Sequence, residues 1–157
     1  MRLRGVEYKQ ACTDVDAVVG NAQTMTTRGK KGDPSKVIKA LLQNSDKTVE
    51  GDAVANYLHA RGLILPAGLR TYASAPFWTD GQRSGSYPAM VARLWGPDDE
   101  LTTVHVTYIS GTGKAPVSSP RKLQAALDGR KTAGSAVRLF NRAETMAIAE
   151  EIGRAHV

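Results

Sequence analysis

The apolar positions of this chain follow a helical period up to Gly62 and an alternating one beyond Leu63. In VEYKQACTDVDAVVG, Val6, Ala11, Val15, Val18 and Val19 recur close to the helical repeat and Gly20 follows as a stop, which predicts a short amphipathic helix. NAQTMTTRGKKGDP is polar and rich in Gly, Thr and Lys, the composition of a linker. DPSKVIKALLQNS starts a helix with Pro34 in its first turn and Val37, Ile38, Leu41 and Leu42 as its buried face. EGDAVANYLHARG carries Val54, Tyr57 and Leu58 and ends at Gly62, so these two helices are expected to form a helical hairpin.

Past Leu63, LRTYASAPFW and YPAMVARLWGPDDELTTVHVTYIS are rich in Val, Thr, Tyr and Trp. The tract GPDDE separates two alternating runs, Ala89–Trp95 and Leu101–Ile109, and this predicts an antiparallel hairpin. SGTGKAPVSSPRK reads as a basic loop, PRKLQAALDG as a short helix closed by Gly129, and SAVRLF and TMAIAE as two further short strands. The fold class expected is α+β, with short N-terminal helices followed by a small, largely antiparallel sheet.

Composition narrows the picture. A length of 157 residues with 41% hydrophobic content suits one ordinary domain. No apolar run approaches the roughly 18–20 residues that span a bilayer. MRLRGVEYKQ has arginines but no apolar stretch behind them, unlike a secretory signal, so a cytoplasmic location without membrane contact is expected. Cys12 is the only cysteine and reads as a small core residue, while His59, His105 and His156 are scattered, so no metal site is expected within the chain. A net charge of +6 and a pI near 9.6 favour an anionic partner, nucleic acid foremost.

Several tempting motifs fail on their chemistry. GTGKAP lacks the phosphate-loop pattern, because Tyr108 stands where the first Gly is required and Ala115 replaces the magnesium-binding Ser/Thr. Asp14 and Asp16 lie two apart on a helix and so point in different directions, which suits a solvated face better than chelation. Asp98, Asp99 and Glu100 read as turn chemistry, and His105, alternating with Val104 and Val106, as a residue of the opposite sheet face. Lys114, Arg121 and Lys122, with Arg138 a little further on, sit among Gly, Pro and Ser; such a loop suits phosphate contact, although a simply solvated basic loop has the same composition.

DAVANYLHARGL, LPAGLRTYASAPFW, PAMVARL, VHVTYI, GKAPVSSPRKL and AVRLF together resemble the segment that precedes the Toprim domain in phage- and plasmid-type DNA primases, over about residues 50–150. VEYKQACTDVDAVVG is similar to the tract that follows the zinc ribbon of those primases. The resemblance implies a division into a tail of a zinc-ribbon region plus linker (1–30), a pre-Toprim α+β domain (31–140) and the first strand of a truncated Toprim domain (141–150). It places Glu150 at the Toprim glutamate, the general acid/base of phosphoryl transfer, although Glu151 stands where the family has Gly. The magnesium-binding Asp-x-Asp of that fold would follow Glu150, and the zinc ribbon would precede Met1. Zinc and magnesium are therefore expected in a full-length parent and no cofactor in this chain.

The last residues suggest why the match stops. EIGRAHV (151–157) can be read from GAG ATC GGA AGA GCA CAC GTC, which from its second base is a common short-read sequencing adapter. Adapter read-through is the expected origin of residues 151–157, and the chain is expected to be a gene fragment. The resemblance implies a parent that makes RNA primers on single-stranded DNA from nucleotides, with a replicative helicase as a possible partner. In that parent Lys114, Arg121, Lys122 and Arg138 would contact phosphate. One alternative is a non-catalytic adaptor domain contacting a helicase or neighbouring domains of another Toprim protein; a third reading is a parent that is no primase, since topoisomerases and some nucleases use the same fold.

Overall fold

The structure is a computed structural model that describes residues 33–141. The amphipathic tract of residues 6–19 with Cys12, Asp14 and Asp16, the strand expected at TMAIAE with Glu150, and the tail 151–157 lie outside the described residues.

Asp33 opens the first helix, α1 (Pro34–Gln43), by accepting from the Ser35 N–H at 2.9 Å and the Ser35 hydroxyl at 2.7 Å. Pro34 stands in the first turn, where a missing N–H costs nothing. Ile38 is buried and Leu41 and Leu42 pack half-buried beside it, but Val37 is 40% exposed. The sheet covers only the narrow stripe Ile38–Leu41–Leu42, so Val37 falls outside the face expected of it. The second helix, α2 (Ala53–His59), is capped by Asp52, whose carboxylate accepts from the Ala55 N–H at 2.8 Å and the Val49 N–H at 2.9 Å. Gly62 at φ +71° turns the chain away from its end, with the Leu63 N–H reaching the Leu58 carbonyl at 3.0 Å.

The strands are β1 (Asp46–Lys47), β2 (Leu69–Thr79), β3 (Gln82–Trp95), β4 (Leu101–Ser110), β5 (Gly113–Lys114), β6 (Arg121–Leu123) and β7 (Ala136–Val137). They form one sheet in the order β1-β2-β3-β4-β5, with β6 also on β4 and β7 also on β3, and the described pairs are antiparallel. The fold is α+β.

The two helices do not make the expected helical hairpin. Ile38 packs with Ala75, Phe77, Ala89, Val91, Val104, Val106 and Tyr108, whereas Val54, Tyr57 and Leu58 pack with Leu69, Met90, Ala92 and Ile109. Ala89 and Val91 alternate with Met90 and Ala92 along β3, and alternate residues face opposite sides. The helices therefore lie on opposite faces of the sheet, with β1 passing its edge between them. Each helix has an apolar stripe of its own, and a sheet with two apolar faces satisfies both.

The β3–β4 hairpin forms as expected, with Ala92 opposite His105 and the GPDDE tract as its turn. A second hairpin joins β2 to β3 through Thr79–Gln82, where Asp80 (φ +50°) and Gly81 (φ +80°) supply the two left-handed residues of a tight turn. β3 thus starts at Gln82 rather than Ala89. PRKLQAALDG is not a helix: Pro120 precedes β6, and beyond Leu123 the Gln124 and Leu127 N–H groups bond to the Val104 and Thr102 carbonyls of β4 at 3.0 and 2.9 Å. The open edge of β4 outcompetes local helix propensity there. Gly129, at φ +74°, closes a turn instead of a helix. Of SAVRLF only Ala136–Val137 is strand.

β2 carries an extra residue between Tyr72, opposite Ala89, and Ala75, opposite Tyr87. Beyond this bulge the β2–β3 arm bends so that Phe77 meets the Tyr108 ring edge-on, centroids 5.0 Å apart. The Tyr108 hydroxyl donates to the Pro76 carbonyl at 3.1 Å, and burial holds that hydroxyl above its ordinary pKa.

Burial alone would raise the Asp52 carboxyl, but the N–H groups of Ala55 and Val49 and the Thr71 hydroxyl, at 2.8 Å, hold it below its ordinary value of 3.8. The folded state thus favours the carboxylate, and this stabilisation is present above about pH 4 and lost as pH falls through the lowered value. Asp52→Ala is expected to cost about 1 kcal/mol at pH 7 in urea unfolding. The difference from the parent should shrink at pH 3, and an equal loss at both pH values would remove the charge from this account.

Candidate nucleic-acid interface

One edge of β4 gathers cations by register. Lys114 lies opposite Ile109, Arg121 opposite Thr107 and Lys122 opposite Val106. Ile109 packs in the α2-side cluster and Val106 in the α1-side cluster, so alternation sends Lys114 and Arg121 to the α2 face and Lys122 to the other. Lys114 and Arg121 are exposed, and their partners lie two residues apart on β4, about 7 Å along the strand.

Lys122 is turned inward. Its ammonium donates to the Trp78 carbonyl at 2.6 Å and stands 3.9 Å from the centre of the Phe77 ring. Burial pushes it below its ordinary pKa. Lys122 therefore pins the bent β2–β3 arm to β6.

That arm brings in residues the sequence reading did not single out. Trp78 alternates with the buried Phe77, is 51% exposed and pairs with the exposed Arg83 across the hairpin. The signal available was Asp80-Gly81, the dipeptide that favours a two-residue hairpin turn, preceded by PFWT and followed by QR. The β2–β3 ladder shifts register between Phe77 and Trp78 with the surplus residue on β3, so along β2 itself Trp78 still alternates with Phe77 and takes the side of Lys114 and Arg121. An indole beside separated cations can stack a base while the cations meet phosphates.

Arg138 is not part of this group. It lies at the opposite end of β3, where its guanidinium stacks on Trp95 at 5.7 Å and pairs with the Asp99 carboxylate. In the same turn Arg130 pairs with Asp98 and Glu100. The acidic turn is thus held by two arginines, and it stands at the far end of β4, about 20–25 Å along the strand from Arg121. That separation exceeds the Debye length of about 8 Å at physiological salt, so the acids do not cancel the cationic edge. Glu150 lies outside the described residues. Among the described residues no three His, Cys, Asp or Glu side chains come together as a metal site, and no helix is long and apolar enough to cross a membrane.

Residues 33–143 match the model of a family described as a domain of unknown function, DUF7146. No curated protein and no solved structure matches the chain.

His105 reports on this edge. Burial, and secondarily the charge of Arg121, hold its imidazole below the ordinary 6.5. In a proton NMR titration His105 should have a midpoint below 6.5, and Arg121→Gln should raise it without restoring the ordinary value, because burial remains. An unmoved midpoint would separate Arg121 from His105.

Proposed function

The chain belongs to the DUF7146 family over residues 33–143, and from that footing we propose that this domain binds single-stranded nucleic acid along the Trp78–Lys114–Arg121 face, as part of a Toprim-type DNA primase. The observation that carries the binding reading is the exposed indole of Trp78 on an arm pinned by Lys122, the strand neighbour of Arg121, with Lys114 and Arg121 both exposed along the same edge of β4. Lys114 and Arg121 serve as phosphate contacts and Trp78 as the base platform, with Arg83 at the hairpin tip as a further cation. Lys122 positions the arm. The primase assignment draws its support from the resemblance of residues 50–150 to the segment before the Toprim domain. In such a parent this face would hold template while the chemistry takes place in the Toprim domain, on magnesium and the glutamate expected at Glu150.

A purely basic loop would also suit an acidic partner protein, such as a helicase docking on an adaptor. An exposed tryptophan on the arm that Lys122 ties to the cationic strand favours unpaired bases, because every base offers a ring face and a duplex hides it.

Fluorescence anisotropy of a labelled oligothymidylate, titrated at several salt concentrations, tests this. Lys114→Gln and Arg121→Gln should each weaken binding and reduce the salt slope by about 0.7. Trp78→Ala should weaken it by about 1–3 kcal/mol with the slope unchanged. Binding that is equal in all three variants, or stronger for duplex than for single strand, sinks the reading.

A further inference from the structure

A second pair of cations lies on the other face of the sheet, at the end of β3. A surface groove of about 340 Å³ runs between Gly68, the end of β3 and the segment Arg138–Asn141. Arg93 and Arg138 both stand over the Trp95 ring, at 5.3 and 5.7 Å from its centre. Arg93 Nε is buried without a hydrogen-bond partner among the described residues. A buried donor left unmatched costs about 1–3 kcal/mol, and a charged one more, so this nitrogen calls for an acceptor. Phe140, 55% exposed, forms part of the wall, and Asn141 adds an amide able to donate and accept.

One wall of the groove is set by a close backbone approach. Gly68 donates its N–H to the Leu139 carbonyl at 3.0 Å, and a side chain at Gly68 would collide with the Arg138 carbonyl oxygen. The segment bearing Arg138 and Phe140 is therefore held by its backbone close against the start of β2, on the groove that Arg93 also lines.

Arg138 already holds an oxyanion, the carboxylate of Asp99 in the β3–β4 turn. Asp99 does not line the groove, and through that contact it is an internal competitor for any oxyanion that reaches Arg138 from the groove. We propose that the groove binds a nucleotide unit, with its phosphate on Arg93 and Arg138, its base against Phe140, and Asp99 competing in cis for Arg138. Guanidinium pairs recognise phosphate by paired N–H···O bonds, and the aromatic wall gives a planar base a surface that a bare anion does not use. The unit is either a free nucleotide or the phosphorylated end of a strand. This site shares no residue with the Trp78 face and stands whether or not that face binds DNA.

Trp78→Phe leaves Trp95 as the only tryptophan, so its fluorescence in the full chain reads the groove directly. ATP should quench it saturably, and adenosine and inorganic phosphate should each bind at least about tenfold more weakly. Arg138→Gln should weaken ATP by roughly tenfold. Asp99→Asn should tighten it, because the competing charge is gone. Asn also tolerates the left-handed backbone at this position, φ +64°, so the turn survives the change. Displacement of ATP by a 5′-phosphorylated oligonucleotide, but not by its 5′-hydroxyl form, assigns the site to strand ends; no displacement by either assigns it to free nucleotide. Absence of saturable quenching, inorganic phosphate as tight as ATP, or Asp99→Asn binding no better than the parent overturns the proposal.

Discussion

Two adjacent residues of β2, Arg70 and Thr71, hold one helix each on opposite faces of the sheet. Arg70 donates to the Ser45 hydroxyl at 3.0 Å, to the Leu42 carbonyl at 3.3 Å and to the Ser45 carbonyl, gathering the carbonyl end of α1. Thr71 donates to the Asp52 carboxylate at 2.8 Å, the same group that caps α2. Helices of 10 and 7 residues are too short to persist in water on their own, so attachment to the sheet decides whether they exist. The constraint reaches further, because α1 and α2 close the two apolar clusters that make every central strand apolar on both sides. β1 sits opposite these same two residues, Asp46 against Thr71 and Lys47 against Arg70, which fixes the length of chain between the helices.

The elements legible in the sequence were those with a local cause. The α1 and α2 starts follow from Asp33, Pro34 and Asp52, and the β3–β4 hairpin from its alternation and acidic turn. What local pattern could not reveal was competition for distant partners. Leu123 and Leu127 look helical beside Ala125 and Ala126, yet β4 offers unpaired carbonyls at Val104 and Thr102, and the backbone takes those. The same holds for the placement of the helices, since the spacing of α1 and α2 suits a hairpin as well as a sheet flanked on both faces.

The candidate cations were legible as residue types and not as groups. Lys114, Arg121 and Lys122 lie close in sequence, but a strand sends neighbours to opposite faces, so Lys122 parts from Arg121. Nearness along the chain groups Arg138 with them, while the fold sets it with Arg93, 45 positions earlier in the sequence, over one indole. An aromatic in a strand is usually core, so the sequence alone does not mark Trp78 as outward-facing, and its exposure follows only from its place on the arm beyond the bulge. Charge is thus divided along the sheet: Arg130 and Arg138 hold the acidic β3–β4 turn at one end, and Lys114 and Arg121 line the edge of β4 toward the other.

The bulge in β2 separates two properties that strands usually combine. Tyr72 and Ala75 face the same side although three positions apart, because one of the residues between them is surplus to the ladder. Loss of either Ala73 or Ser74 would leave two-residue spacing there, and every side chain on both flanks would keep its face. Between Tyr72 and Ala75 the strand can therefore change its length by a residue without scrambling inside and outside. What would change is curvature: a straightened arm would carry the Pro76 carbonyl away from Tyr108 and Trp78 away from Lys122. In lineages that vary in length at this point, the core would persist while the reach of the arm drifts, so surface geometry could diversify on an unaltered interior.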